Sequence, residues 1–277
     1  MITNRAMRWR RRQALFKPGN TLIDPDHYRA AIITRQEAAQ FIAAEHYLPT
    51  FPAAQLSVGY FRKTGPASPT ELVGVCVFAV PSNNAVTTKY TAMPARAGTT
   101  LARFILLDHV PGNAETHFLS QARSLLRQTK PAIETFTSFA DPLAGHIGSI
   151  YMAASARYLG RTKPRRRWTT PTTTLSERAL SKIALAESGH HGAIARLSAL
   201  GAPSQDPHED PRAWLQRLKQ TGWLRQVTTP GLFIYTFPLT ASKRPGSDVL
   251  RGWPAVAMSI SSGVSFGTAE GEWLGPD

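Results

Sequence analysis

The sequence predicts a mixed α/β (α+β) fold: one mixed sheet with helices on both faces, followed by a C-terminal helical extension. Two observations predict it. Between residues 28 and 162, strand patterns and helical stripes follow in the order β-α-β-β-β-α-β-α-β, with a hairpin in the middle. From about residue 174 the strands give way to two or three helices. Helices that cross between strands cover both faces of the sheet they connect.

The first half of this order begins with a strand at 28–34. A helix follows, because Thr34 and Glu37 have the spacing of a capping box and apolar residues then recur at helical intervals. Strands at 55–62 and 72–81 flank a segment rich in turn-forming residues, which predicts a β-hairpin.

The second half begins with a polar loop at 82–100 and a strongly apolar strand at 101–110. Asn113 is a favourable N-cap for the amphipathic helix that comes next. A strand at 132–140, a crossing segment and a final short strand complete the core. The crossing segment reads FADPLAGHIGSIYMAASARYLG, which is unusually rich in polar residues and glycine for a connection between strands.

Four regions are expected along the chain. Residues 1–27 form a basic N-terminal arm, and 28–168 form the core that would carry the chemistry. A helical extension with one late strand occupies 169–240. Residues 241–277 are rich in Ser and Gly with little periodicity, which is typical of a disordered tail.

The charge balance predicts a polyanionic partner. The chain has 32 Lys and Arg residues against 18 Asp and Glu residues, a formal net charge of +14. Such a surface attracts DNA, RNA, acidic membrane or a phosphorylated cofactor. Basic residues cluster beside tryptophan at two places and share a helix face at a third, and these are the predicted nucleic-acid contacts: Arg8, Arg10, Arg11, Arg12, Arg165, Arg166, Arg167, Arg178 and Lys182. For the helix pair Arg178 and Lys182, an ordinary solvated face is the alternative.

Other classes of protein are disfavoured. Cys76 is the only cysteine, which excludes an intrachain disulfide and a cysteine-based metal site and suggests a reducing compartment. No run of apolar residues suits a secretory signal or a transmembrane helix, so we expect a cytoplasmic protein with no membrane partner. The histidines do not have metal-site spacing, so no dedicated metal site is expected, while assistance by a metal and the oligomeric state are left open.

A strand-loop-helix unit at 106–117 is one candidate site. The free amides at the start of a helix, aided by its dipole, can bind a pyrophosphate. The unit lacks a P-loop or a GxGxxG motif, and Glu115 in its first turn would repel phosphate, so an ordinary capped helix is the alternative.

Two further groups of residues suit acid–base chemistry. His46 and Tyr47 follow a predicted helix, where the imidazole would act as a base or merely cover the helix end. Asp141 ends a predicted strand, and His146 and Tyr151 follow on the crossing segment. Two glycines in that segment indicate close approach by a ligand or a packed strand, since glycine costs a helix about 1 kcal/mol relative to Ala.

In its order of strands and helices the core resembles the GNAT acyltransferase fold. That resemblance implies binding of acetyl-CoA or a related acyl-CoA, with Tyr151 as a proton donor to the departing thiolate. It also implies that backbone amides of the strand-loop-helix unit bind the CoA pyrophosphate, and the residues concerned would be Leu107, Asp108, His109, Asn113, Ala114, Glu115 and Thr116. The usual GNAT phosphate signature is replaced here by VPGNAE.

The chain more closely resembles the Mom-type DNA modification proteins of bacteriophages and prophages, a divergent GNAT branch. The residues that carry this are His46-Tyr47, Leu101-x-Arg103 and the stretch SFADPLAGHIGSIYMAASARYLG. The resemblance covers roughly residues 28–162. It implies modification of the exocyclic amine of adenine in DNA, which shields that DNA from restriction enzymes, with Arg103 counted among the cofactor contacts.

Three functional hypotheses follow. The first is a Mom-like transferase that modifies a DNA base with Asp141 or His46 as the base and Tyr47 and Tyr151 as partners of the flipped base or leaving group. The second is a CoA-dependent N-acetyltransferase acting on a small amine or a protein. The third is a non-enzymatic DNA-binding protein that keeps the fold.

Overall fold

The computed structural model describes residues 5–10, 13–18, 22–63, 70–175 and 177–239. The predicted tail at 241–277 lies outside the described residues. Within them the chain forms two compact units. The larger unit runs to Thr162 and takes in the chain again from Leu232, and the smaller unit is Lys163–Gly231. The division therefore falls earlier than the expected boundary after residue 168.

Twelve strands are described. The first two pair as an antiparallel hairpin in the region expected to be a basic arm. The bounds of the strands are β1 (Arg5–Arg10), β2 (Gln13–Pro18), β3 (Tyr28–Ile32), β4 (Ala54–Lys63), β5 (Thr70–Ala79), β6 (Gly98–Leu106), β7 (Thr135–Ala140), β8 (Arg157–Arg161), β9 (Arg165–Thr169), β10 (Thr174–Leu175), β11 (Arg225–Thr229) and β12 (Phe233–Pro238).

Seven α-helices are described among the same residues. None of them is both long enough and apolar enough to cross a membrane. The bounds of the helices are α1 (Arg35–Glu45), α2 (Ala85–Thr91), α3 (Ala114–Thr129), α4 (Ser149–Ala153), α5 (Glu177–Ala184), α6 (His190–Ala199) and α7 (Pro211–Gln220).

Local signals decide where the first helix begins. Glu37 N donates to Thr34 Oγ1 at 3.2 Å, and Thr34 N donates to Glu37 Oε2 at 2.8 Å, so the capping box is formed as predicted. The loop predicted at 82–100 is wrong in part, because it contains α2. This helix is rich in β-branched residues, which hide its pattern, and it is stabilised by burial of Val86 and Thr87.

The large sheet has the order β3-β4-β5-β6-β7-β12-β8. Only β6 and β7 pair in parallel, and the other neighbours are antiparallel, so the predicted mixed sheet is confirmed. The predicted β4–β5 hairpin is also confirmed. The late strand at the end of the predicted extension rejoins this sheet, as its apolar pattern allowed, and β12 is inserted between β7 and β8.

Both faces of the sheet carry a helix. On β5, Val75 and Val77 pack in one apolar cluster with Ala38 and Ile42 of α1. The alternate residues Cys76 and Phe78 belong to a second cluster with Phe118 and Leu119 of α3. This alternation is expected of a central strand covered on both sides. The predicted two-sided arrangement is therefore confirmed.

The smaller unit has its own core. Its three-stranded antiparallel sheet has the order β10-β9-β11, and α5, α6 and α7 supply most of the apolar residues. Trp214 of α7 is fully buried there, and its indole Nε1 donates to the Pro203 carbonyl at 2.8 Å. Strand β9 pairs with β11 rather than with the large sheet, which is why the division precedes residue 168.

The crossing segment is held against β12 by a tyrosine. The Tyr235 hydroxyl donates to the Ile147 carbonyl, and Gly148 follows with φ +82°. A Cβ at Gly148 would lie 2.2 Å from Tyr235 Cε2. Of the two explanations for glycine in this segment, the structure shows a tightly packed strand at Gly148.

We expect Gly148→Ala to destabilise the protein more than Gly160→Ala. Both glycines have a left-handed φ, which costs an alanine about 1–2 kcal/mol. At Gly160 no atom lies within 4 Å of the added Cβ, whereas at Gly148 the overlap with Tyr235 adds about 1–3 kcal/mol. Denaturant unfolding followed by circular dichroism measures both losses. Equal losses in the two variants would contradict the packing shown at Gly148.

Candidate active site

The candidate site lies where β6 and β7 part. Their parallel pairing extends only from Gly98↔Thr135 to Leu101↔Ser138, although β6 continues to Leu106. Next to the last pair, Leu101 and Arg103 face consecutive residues of β5, so Ala102 is the extra residue of a β-bulge. A bulge bends its strand, and this one lies where β6 leaves β7.

Arg103 fastens the chain that follows α1 to β6. Its guanidinium donates to the Thr50 carbonyl at 2.7 Å, the Leu48 carbonyl at 3.2 Å and the Ala102 carbonyl at 2.7 Å. It also donates to Thr50 Oγ1 at 3.1 Å. Arg103 was expected among cofactor contacts, but these bonds place it as a positioning residue beside His46.

His46 is a neutral hydrogen-bond donor in this arrangement. It is only 5% exposed, and its Nδ1 accepts from the Leu48 amide at 2.9 Å, which leaves the proton on Nε2. Burial, together with the nearby charges of Arg103 and His146, lowers the pKa of His46 to about 3. The structure thus argues against His46 as the base, because its acceptor nitrogen is already occupied.

The aromatic rings of His46, Tyr47 and His146 pack together. The His46 and Tyr47 rings stack with centroids 4.5 Å apart, and the His146 ring meets Tyr47 edge-on at 5.3 Å. Burial, with Tyr151 and Asp141 nearby, raises the pKa of Tyr47 above its ordinary value. Burial also lowers the pKa of His146 to about 4, although Asp141 opposes the shift. All three rings are therefore uncharged near neutral pH.

Asp141 is the carboxylate of the site. It is the first residue after β7 and caps the short 3-10 turn Pro142–Ala144, where its Oδ1 accepts from the Leu143 amide at 2.9 Å. The His146 amide donates to the Asp141 backbone carbonyl at 3.0 Å, which folds the segment back on itself. Within the described residues Oδ2 makes no hydrogen bond, so one oxygen is held in place and the other can accept a proton.

Tyr151 reaches the site from the opposite face of the sheet. Its ring packs against Tyr235 at 5.3 Å and Phe237 at 6.0 Å, in the cluster that contains α3. Burial raises the pKa of Tyr151 to about 12, although the nearby Ser138 hydroxyl opposes the shift. The phenol is therefore protonated near neutral pH and can donate.

Ser138 is a site residue that the sequence analysis did not single out. It is fully buried, and its hydroxyl lies beside the Tyr151 phenol, where it opposes the rise in the pKa of that phenol. Ser138 therefore forms part of the environment of Tyr151. A serine inside the apolar strand TFTSFA was the available signal.

The structure thus brings the predicted catalytic residues to one place. His46, Tyr47 and Arg103 come from the α1 side, and Tyr151 comes from the α3 side. Burial lowers the pKa of Arg103 and Tyr47 opposes this shift, whereas burial, Tyr151 and Asp141 raise the pKa of Tyr47. Groups from both sides of the sheet therefore lie near Tyr47. The gap between β6 and β7 lets groups from opposite faces of the sheet share one site.

The loop before α3 does not fit an acyl-CoA pyrophosphate well. The Leu107 amide already donates to the Val73 carbonyl at 2.8 Å, and Asp108 and Glu115 bring two carboxylates to a loop without Lys or Arg. Asn113 has φ +66° and its side chain does not cap the helix, contrary to its predicted role. Of the remaining predicted contacts, His109 has its Nε2 3.4 Å from Glu71 Oε1. Ala114 and Thr116 precede His117, whose amide makes the first hydrogen bond of α3.

The predicted nucleic-acid residues lie on different elements of the chain. Arg8 and Arg10 belong to β1, but their side chains, together with Arg11, Arg12 and the side chain of Arg178, lie outside the described residues. Lys182 is on α5, and β9 carries the three remaining arginines: Arg165, Arg166 and Arg167.

Over the described part of the chain, no group of three or more His, Cys, Asp or Glu side chains is placed to hold a metal ion.

Comparison with known proteins gives one family. The profile of the Mom protein family matches residues 27–197, which include every residue of the candidate site. No curated protein matches the chain.

Among solved structures the chain has remote likenesses. A GNAT family acetyltransferase from Elizabethkingia anophelis with acetyl-CoA bound is 7% identical, with 77% of this chain and 99% of that chain covered and a TM-score of 0.33. A tandem GNAT protein from the clavulanic acid biosynthesis pathway is 10% identical, with 78% and 100% covered and a TM-score of 0.38. A probable acetyltransferase from Staphylococcus epidermidis is 8% identical, with 77% and 99% covered and a TM-score of 0.35.

We expect the stability of the protein to fall as the pH is lowered from about 6.5, and His46→Asn to reduce that fall. The unfolded histidine binds a proton near its ordinary pKa of 6.5, whereas the folded one resists protonation down to about 3. Between these values each such group lowers the free energy of unfolding by up to about 1.4 kcal/mol per pH unit. The Asn side chain keeps an acceptor for the Leu48 amide.

Urea unfolding at pH 7 and pH 5 measures this effect. His208→Asn, at an exposed position, is the matched control and should keep the pH dependence of the unmodified protein. If His46→Asn shows the same pH dependence as that control, the inference that His46 is buried and neutral fails.

Proposed function

We propose that this chain, which belongs to the Mom protein family, is a transferase that modifies the exocyclic amine of a base in DNA. Adenine N6 is the target that the family resemblance implies, and protection from restriction enzymes is the expected consequence. The observation that carries the proposal is the meeting of Asp141, Tyr47 and Tyr151 where β6 and β7 part.

The reaction needs a base, because an exocyclic base amine is a weak nucleophile whose lone pair is delocalised into the ring. It attacks well only if its proton is removed as the new bond forms. Asp141 Oδ2 is suited to take that proton, since Oδ1 is held by the Leu143 amide. The carboxylate is partly exposed, so a substrate can reach it.

The neutral donors suit the other half of the reaction. As the bond from the transferred group to its carrier breaks, the leaving group needs a proton or a hydrogen bond. Tyr151 and Tyr47 are both protonated near neutral pH because burial raises the pKa of each phenol. His46 offers Nε2–H as a further fixed donor. These groups can stabilise developing negative charge without reorganising.

Access to a base inside a duplex requires that the nucleotide be flipped out of the helix. The Tyr47 ring, which is partly exposed, offers an aromatic surface for a flipped base. The net charge of +14 favours a DNA substrate over a small neutral amine.

We expect Asp141→Asn to reduce the modified nucleoside by about 10²-fold or more, the range of a lost general base. DNA from cells that make the protein is digested and its nucleosides are measured by mass spectrometry. Tyr151→Phe tests the proton donor in the same way.

Asp24→Asn is the matched control for Asp141→Asn. Asp24 also precedes a proline and also caps a 3-10 turn, with its Oδ1 accepting from the Asp26 amide at 3.2 Å. The control removes the same kind of cap outside the site and should leave the nucleoside unchanged. Expression of the unmodified protein with every nucleoside unaltered would overturn the proposed function, and a full yield from Asp141→Asn would overturn the role of Asp141.

The alternative activity, CoA-dependent N-acetylation, predicts tight binding of acetyl-CoA in the absence of DNA. The loop before α3 does not support this, because the Leu107 amide is engaged and the loop carries carboxylates rather than basic residues. We therefore expect calorimetric titration with acetyl-CoA to give no binding at micromolar concentration. Micromolar binding, weakened by Thr116→Pro but not by Asp24→Asn, would favour the acetyltransferase.

A further inference from the structure

The three arginines of β9 do not share one surface. Successive residues of a strand point to opposite faces, so Arg165 and Arg167 lie on one face and Arg166 lies on the other with Trp168. Trp168 packs against the apolar core of the smaller unit, and its ring lies 4.7 Å from Lys219 Nζ. Arg166 therefore shares the face of Trp168, although its own side chain is exposed, and Arg165 and Arg167 share the opposite, outer face, where Arg167 is partly exposed.

Strand β11 adds to that outer face. Its register with β9 places Arg225 opposite Thr169 and Val227 opposite Arg167, and residues directly opposite in a sheet share a face. Arg225 is exposed, and Val227 is 38% exposed. We call Arg165, Arg167, Arg225 and Val227 the outer basic face. Nothing in the sequence analysis had grouped Arg225 or Val227 with β9.

The charge of this face is not neutralised within the described residues. Arg165 and Arg167 make no ion pair there, and the Nε of Arg225 donates only to the Gly222 carbonyl at 3.2 Å. By contrast, Arg217 on α7 is paired with Glu209 at 2.5 Å. Residues 163–231 hold eleven Lys and Arg residues against five Asp and Glu residues, so the surroundings are also basic.

We propose that the outer basic face binds the phosphate backbone of duplex DNA. The choice of DNA rests on the proposed function, whereas the choice of face rests on the strand register. Over Arg165–Arg167 the sheet has only the strands β9 and β11, because β10 pairs with Trp168 and Thr169 alone. A two-stranded antiparallel ribbon fits the major groove, and arginines spaced two residues apart on it can contact successive phosphates. Val227 lies among the arginines as a small apolar contact for a sugar. Such contacts position a protein on DNA without reading its sequence.

The test compares two single variants of the full chain that remove the same charge from adjacent positions. Binding to a short fluorescein-labelled DNA duplex is followed by anisotropy between about 50 and about 200 mM salt. We expect Arg167→Ala to weaken binding several-fold and to reduce the salt slope by about 1, the effect of one lost phosphate contact. Arg166→Ala, on the opposite face of the same strand, should change both the DNA affinity and the salt slope by less than Arg167→Ala does.

The triple variant R165A/R167A/R225A extends the comparison and should reduce the slope by about 2–3. Unfolding curves for each variant confirm that the fold is kept. Equal effects of Arg166→Ala and Arg167→Ala would overturn the proposal, as would tighter binding to an RNA duplex of the same sequence than to DNA. If the face binds DNA as expected but no modified nucleoside forms in cells, the proposed function fails and the DNA-binding face stands.

Discussion

The early end of the pairing between β6 and β7 is the constraint on which the site depends. A closed sheet separates the side chains of its two faces, and here Arg103 belongs to the α1 side whereas Ser138 and Tyr151 belong to the α3 side. Because pairing stops at Leu101↔Ser138 and the bulge at Ala102 bends β6, groups from both faces can approach one substrate. The exposed backbone at such a gap would be costly if it were not hydrogen-bonded, and Arg103 satisfies the Ala102 carbonyl there. The same guanidinium holds the loop after α1 through the Leu48 and Thr50 carbonyls.

Burial then assigns the charges in the site. Desolvation disfavours ionised forms, so it keeps His46 and His146 deprotonated and Tyr47 and Tyr151 protonated near neutral pH. Asp141 is partly exposed and caps a turn with one oxygen. A carboxylate beside neutral rings suits the transfer onto an amine that we propose. Histidine is a common general base, but Nδ1 of His46 accepts from the Leu48 amide. His46 is therefore better described as a donor.

The late strand β12 brings residues from near the end of the described chain to this site. It returns from the smaller unit to lie between β7 and β8, and it brings Tyr235 against Gly148 and Tyr151. The geometry of the crossing segment therefore depends on residues more than eighty positions away, as the bond from Tyr235 to Ile147 shows. The smaller unit carries the outer basic face, for which we propose a role in DNA binding.

Several features were determined by the sequence itself, because their causes are local. The capping box of Thr34 and Glu37, the β4–β5 hairpin and the position of Asp141 at a strand end all follow from residues a few positions apart. The excess of basic residues is likewise a property of composition. Family membership could be inferred from the short motifs around His46 and Asp141, which the match over residues 27–197 confirms.

Other features were decided only by the tertiary structure, because they depend on pairing and burial between distant segments. Helix α2 forms against its weak local propensity because Val86 and Thr87 are buried, and β12 joins a sheet whose other strands end before residue 162. The donor role of His46, the position of Ser138 beside Tyr151 and the separation of Arg166 from its neighbours all require knowledge of what surrounds each side chain. Residue type and spacing indicate which chemistry is available, but desolvation and strand register decide which groups can carry it out.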